Sequence, residues 1–299
     1  MMRPYAKWKA TIKEDGPCKE DDVALTISTN VASLNAQRNM RATHGNMERS
    51  LSRLSSGYRI NQAADDAAGL AISENLKASI RGLKQASRNS EDGVSLVQVA
   101  EGGLNEVGNM LIRLRELGVQ ASSDTIGDTE RHFLDVEYQQ TKSEIQRISE
   151  VTKFNGKDLL NGTAGVIDIQ VGIHNDAFQD RISFNASAAN SSLESLGLTP
   201  LNLETKEGAQ STLAMIDAAQ TSVNGMRANF GAMQNRLNST VNNLAIAHEN
   251  LSAANSRIRD TDIAEETAEM TRNSILLQAG VSVLGQANSM QQVAMKLLQ

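Results

Sequence analysis

The sequence predicts a mainly α-helical protein: an elongated antiparallel helical bundle of coiled-coil character, with one small β-hairpin and the two termini paired at one end. Three observations predict it. Aromatic residues make up only 3% of the 299 residues, although Phe, Tyr and Trp supply much of the bulk of large globular cores. Apolar residues instead recur at alternating spacings of three and four over most of the chain, the seam of helices that bury one side against other helices. One short stretch alone changes to strict alternation of β-branched residues, the mark of a strand.

Residues 1–23 stand apart. They hold the only Trp (Trp8), the only Cys (Cys18), two of the three Pro (Pro4 and Pro17) and the charge cluster Lys13-Glu14-Asp15. They read as a disordered tail or as a non-native extension upstream of a start at Val23. The first helix is expected from Ala24 to about Tyr58. Ile27, Val31 and Leu34 open it, and Met40, His44, Met47, Leu51, Leu54 and Tyr58 continue the seam. After Ser55-Ser56-Gly57 and Asn61-Gln62, a second helix is expected from about Asp66 to Ala121, with Val97, Ala100, Leu104, Val107, Leu111, Leu114 and Gly118 in register. Gly102, Gly103 and Gly108 each lower helix propensity there by about 1 kcal/mol relative to Ala; they are either tolerated or mark close helix approach. A third helix is expected from about Thr129 to Val151.

Val166 to Ile173 then puts Ile167, Ile169, Val171 and Ile173 on one face of a strand, with Arg181 to Phe184 returning, so a hairpin is expected at 166–184. Residues 187–208, mixed in Ser, Asn and Leu around Pro200, read as a short linker. A further long helix is expected from Ser211 to Asp260. Its seam takes two consecutive steps of four, Met233 to Leu237 to Val241, a stutter that locally unwinds a coiled coil. Asp262 with Glu265 opens the last helix as in a capping box, and Gly280, Val283, Ala287, Met290, Ala294 and Leu297 carry its seam to the final turn. The helices at the two ends of the chain are thus expected side by side, in a rod with both termini together.

The composition excludes several function classes. A net charge of -6 argues against nucleic acid or an anionic membrane as partner. No apolar run reaches the roughly 18 residues that span a bilayer, so no membrane insertion is expected, and the N-terminus lacks the pattern of a cleaved signal peptide. His44, His132, His174 and His248 are far apart in sequence. His248-Glu249 begins like a zinc-peptidase motif, but Ser252 stands where the second histidine belongs. Asp65-Asp66 reads as a solvated or capping pair at a helix start rather than an acid–base couple. No catalytic, metal or cofactor-binding residues are expected, and the chain is not expected to be an enzyme.

Three blocks go further. Ala24-Leu25-Thr26-Ile27-Ser28-Thr29-Asn30-Val31-Ala32-Ser33-Leu34-Asn35-Ala36-Gln37-Arg38-Asn39 resembles the start of a mature bacterial flagellin. So does Leu51 to Ile72, reading LSRLSSGYRINQAADDAAGLAI, while Ala254-Asn255-Ser256-Arg257-Ile258-Arg259-Asp260-Thr261-Asp262 through Leu298 matches the other end of that family. The resemblance implies an inner coiled-coil filament-core domain from residues 24–64 with 263–299, and a helical rod domain with the hairpin from 65–262. Ile27, Val31, Leu34, Leu51, Leu54, Val283, Met290 and Leu297 would then be filament-core packing residues. The short linker implies a minimal form without large variable outer domains.

As to function, the resemblance implies a structural subunit of the extracellular flagellar filament. It would be exported unfolded by the flagellar type III system and polymerised at the tip into a tubular helical propeller. Its implied partners are copies of itself, a secretion chaperone, and the filament cap and hook-junction proteins. The hairpin resembles the element associated with switching between protofilament packings. Ile112 to Gln120 resembles a segment read by a vertebrate Toll-like receptor, with Arg113, Leu117 and Glu137 as contact candidates. The alternatives are a hook–filament junction protein of the same superfamily, an enzymatic flagellin with a metallopeptidase insert, and a coiled-coil signalling protein. The short linker and the absent peptidase motif weigh against the second, and the missing spanning segment against the third.

Overall fold

The computed structural model describes residues 29–290 and 292 in full and the helical backbone of 291 and 293–297. The extension at 1–23, Ile27 and the Leu297 side chain therefore lie outside the described residues. The chain divides into two units, residues 1–58 with 261–299, and residues 59–260.

The second unit is built on two long helices, α2 (Ala67–Ala121) and α4 (Lys206–Arg259). Asp66 caps α2, its carboxylate accepting from the Gly69 amide at 2.8 Å; Asp65 accepts from the Asn61 and Gln62 amides. Asp66 is thus the helix cap, and Asp65 holds the turn before it. Arg259 meets Glu74 at 2.5 Å at one end of the helix pair and Arg115 meets Asp217 at 2.7 Å at the other, so α2 and α4 run antiparallel. Between them, Val97, Ala100, Leu104, Val107, Leu111 and Leu114 are completely buried against Ile216, Ala219, Val223 and Leu237. Each large side chain so buried contributes about 1.5–3 kcal/mol.

Helix α3 (Asp128–Val151) folds back along α2 and buries Tyr138 and Ile145 on the same core. It also buries three charges, each engaged. Arg131 donates to the carbonyls of Ala121 (3.0 Å) and Ile126 (3.3 Å), closing the α2–α3 turn. Asp135 accepts from the Leu203 amide at 2.7 Å. Lys142 donates to the carbonyls of Thr199 and Leu201 at 3.1 and 2.9 Å. The Tyr138 hydroxyl is buried without a hydrogen-bond partner, and Lys142 Nζ lies 5.7 Å from its ring centroid.

Of residues 187–208, expected as a linker, 206–208 already belong to α4 and 187–205 are consequently a packed connection: Leu196, Leu198 and Leu203 join the core, and residues 187–189 form a 3-10 turn. A small two-strand ladder that the periodicity did not suggest, β1 (Lys153–Phe154) with β2 (Lys157–Asp158), follows α3. Asn155 (φ 47) and Gly156 (φ 76) supply its two-residue turn; such left-handed pairs match the twist of the strands they join.

Strands β3 (Val166–Gln170) and β4 (Arg181–Asn185) form the anticipated antiparallel hairpin, with Ile167 opposite Phe184 and Ile169 opposite Ile182 on the buried face. The regular strand ends earlier than the alternation implies. The Val171 and Gly172 amides both donate to the Asp180 carbonyl, a bulge that ends the ladder and leaves Ile173 38% exposed. Gly82 and Gly93 on α2 admit the hairpin closely: a Cβ at Gly93 would lie 2.8 Å from Ile169 Cδ1. Gly103 does the same for Leu160 and Thr152, whereas Gly102 and Gly108 face open space.

The first unit pairs α1 (Val31–Ser56) with α5 (Ile263–Leu297). Asn30 caps α1 through the Ser33 amide. Gly57, at φ 75, ends it by donating to the Arg53 carbonyl at 2.8 Å, so Tyr58 falls outside the helix rather than closing its seam. Asp262 accepts from the Ala264 and Glu265 amides at the start of α5.

Candidate assembly surfaces

The α1–α5 pair is antiparallel: Asn30 Nδ2 donates to the Ala287 carbonyl at 3.0 Å, Gly280 lies against Met40, and Arg53 meets Glu266 at 3.5 Å. Its contact line on α1 runs through Ser33, Gln37, Met40, Thr43, Met47, Ser50 and Leu54, and on α5 through Glu266, Met270, Asn273, Leu277, Gly280, Leu284 and Ala287. These are spacings of three and four, as expected, but the most buried members are Ser33, Ser50, Glu266 and Asn273. A search for apolar recurrence passes over these polar residues; the unbroken three–four register is the signal that would have found them.

The predicted packing residues fall mostly elsewhere. Leu54 is half-buried on the contact line. Val31 (59%), Leu34 (56%), Leu51 (59%), Val283 (58%) and Met290 (61%) are exposed, together with Ile275 and Leu276. Only Gly280 and Ala287, of the seam read along α5 up to Met290, face α1. The pair thus buries a narrow, partly polar line and turns its larger aliphatic side chains outward. Exposed apolar surface repeated along helices is a surface for other chains.

In the second unit, Ile112 and Val119 are exposed on the outer side of α2, flanked by three ion pairs. Arg113 bonds Glu137 on α3 at 2.6 Å and Glu116 at 3.0 Å, and Arg115 reaches Asp217 on α4. Glu137 first, then Glu116, holds the Arg113 guanidinium above its ordinary range; Asp217 does the same for Arg115. Two of the receptor-contact candidates, Arg113 and Glu137, therefore touch each other at the surface. The third does not join them: Leu117 is completely buried in the helical core. At the far end of the hairpin, Phe178 is 87% exposed on a turn held by Asp176, which accepts from the Phe178 and Gln179 amides. These two bonds lower the Asp176 carboxyl from its usual range.

Among the described residues no His, Cys, Asp and Glu side chains gather in a group of three that could hold a metal ion, and no helix is long and apolar enough to cross a membrane.

Known proteins repeat this arrangement in sequence. The model of the bacterial flagellin N-terminal helical region matches residues 27–165, and that of the bacterial flagellin C-terminal helical region matches residues 213–298. A flagellin of Halalkalibacterium halodurans is 44% identical over 274 residues, covering 92% of this chain and 100% of that protein. The flagellar filament core protein flaB2 of Brachyspira hyodysenteriae is 38% identical, with the same 92% and 100% coverage. Among solved structures, a protein described as flagellar hook-associated, from Vibrio parahaemolyticus, shares the fold with a TM-score of 0.55. It covers 66% of this chain and 100% of its own at 14% identity.

Proposed function

The chain belongs to the bacterial flagellin family, and we propose that copies of it polymerise into the filament through the exposed aliphatic faces of the α1–α5 pair. It is a structural subunit of the extracellular flagellar filament and not an enzyme. One observation carries the assembly reading: Val31, Leu34, Leu51, Val283 and Met290 stand in solvent on helices whose mutual seam holds serine, asparagine and glutamate. In a tubular homopolymer those side chains would be covered by neighbouring copies. Residues 24–64 with 263–299 would form the inner filament core, and 65–262 the surrounding domain.

The monomer would leave the cell unfolded through the flagellar type III system, escorted by a secretion chaperone, and order beneath the filament cap on a base of hook-junction proteins. Helix pairs with a thin internal seam suit that route, because neighbours supply the burial that offsets the cost of ordering. A Toll-like receptor contact would involve Arg113 and Glu137, with Leu117 supporting α2 from within. A hook–filament junction protein is the second reading; the hook-associated likeness is one of fold, whereas identity to flagellins extends over nearly the whole chain.

Electron microscopy of the purified, refolded chain tests the proposal. Long tubular filaments are expected from the native sequence, and none from Leu51→Asp or Val283→Asp, with thermal unfolding of residues 59–260 unchanged. Normal filaments from both variants would overturn it.

A further inference from the structure

The sequence contains three Asn-Gly pairs, Asn155-Gly156, Asn161-Gly162 and Asn224-Gly225. In such a pair the small glycine leaves its backbone nitrogen open to the asparagine side chain, and the chemistry is self-contained. The Gly nitrogen gives up its proton and bonds to Asn Cγ, the Cγ–Nδ2 bond breaks, and ammonia leaves. Water then opens the resulting cyclic imide at either carbonyl, to aspartate or to isoaspartate. Water enters and ammonia departs, with no change of oxidation state.

The fold separates the three. Asn224-Gly225 lies inside the 54-residue helix α4, where the backbone is fixed and the amides are committed to the helical ladder. Asn161 is tied on both sides: its Nδ2 donates to Asp158 at 2.8 Å, and its Oδ1 accepts the Thr163 amide at 3.0 Å and hydroxyl at 2.7 Å. Asn190 fills the space beside Gly162, 2.9 Å from where a Cβ would stand. Asn155 and Gly156 are both exposed, nothing lies within 4 Å of a Cβ position on Gly156, and no hydrogen bond engages the Asn155 side chain. The two pairs of the β1–β2 ladder, the Lys153–Asp158 ion pair and the bond from the Leu159 amide to the Thr152 carbonyl close this hairpin, and none of them engages the Gly156 amide. Short ladders open locally at low cost, freeing the backbone to reach the reactive geometry.

We propose that Asn155 is a spontaneous deamidation site of this protein, and that the fold rather than the dipeptide selects it over the other two. The two products differ in consequence. Aspartate keeps a residue that tolerates the left-handed turn. Isoaspartate adds a carbon to the backbone between Phe154 and Lys157, and the register pairing Lys153 with Asp158 cannot close around it.

The test incubates the folded full-length chain in mildly alkaline buffer, with a second sample in denaturant, and follows all three peptides by mass spectrometry; isoaspartyl methyltransferase labelling counts the isoaspartate. In the folded sample, conversion at Asn155 should outrun the other two sites by at least about tenfold, and in denaturant the three should agree within about a factor of two. N155Q should abolish the labelling of the folded sample. Equal rates at the three sites in the folded chain, faster reaction at Asn161 or Asn224, or the same ranking in denaturant would each overturn the proposal.

Discussion

The α2–α4 pair and the α1–α5 pair are both antiparallel, with contact lines at the same three–four spacing, yet they place their aliphatic residues on opposite sides. In α2–α4, Leu104, Leu111 and Leu114 are completely buried and the ion pairs lie outside. In α1–α5, Ser33, Ser50, Glu266 and Asn273 are the buried members, and Leu34, Leu51, Val283 and Met290 face solvent. One pair completes a core within the chain; the other leaves its larger aliphatic side chains exposed. Periodicity alone says that a helix has a partner, and not whether that partner is the same molecule.

Truncation of one leucine in each pair is the strongest test of that difference. Leu114→Ala should destabilise the chain by about 3 kcal/mol, through lost transfer energy and the residual cavity. Leu51→Ala should stay within about 0.5 kcal/mol in the monomer while impairing polymerisation. Urea unfolding of the unassembled chain checks both, and an equal loss at Leu51 would erase the contrast.

A smaller effect sharpens how the finished core is closed. Asp135→Ala removes the acceptor of the buried Leu203 amide and should cost about 2 kcal/mol. Hydrogen exchange of that amide should rise far more than exchange within α1, confirming that the 187–205 connection belongs to the core of the second unit.

The smallest effect is electrostatic. Arg259 chiefly holds the Glu74 carboxyl below its ordinary 4.5, and Lys206 holds Asp124 below its ordinary 3.8. Both folded values are depressed, so the stability these groups add is present above the ordinary values and is lost as pH falls through the folded ones. The melting temperature of residues 59–260 should drop on acidification below about pH 4. Asp124→Asn should flatten part of that drop; an unchanged acid profile would show the pair to be idle, as many surface pairs are.

Much of the fold was legible. The register from Val97 to Leu114 marks the α2 core residue by residue, and strict alternation marks the buried face of β3. Strand ends were less legible, because the bulge at Val171 and Gly172 depends on where Asp180 returns. The packed 187–205 connection was hidden because it is held by Asp135 and Lys142, charges on the core side of α3, where pattern reading expects apolar residues. On α1 and α5 the periodicity marks helices without saying which side faces the other helix: Val283 and Met290 are apolar at helical spacing, but the polar Glu266 and Asn273 mark the side that faces α1. Leu117 shows the same limit, since a motif match carries no burial: it is completely buried, whereas Arg113 and Glu137 are exposed.

Tyr138 gives the second unit an optical gauge. Burial, with the Asp135 charge nearby, raises its phenol well above the ordinary value of 10.0, whereas Tyr58 lies 41% exposed. After a jump to alkaline pH, the Tyr138 phenolate should therefore appear only as the core around it opens. With only three tyrosines and one tryptophan in the chain, few other chromophores obscure that slow rise in absorbance, and its time constant reads the opening rate of the helical core without any added label.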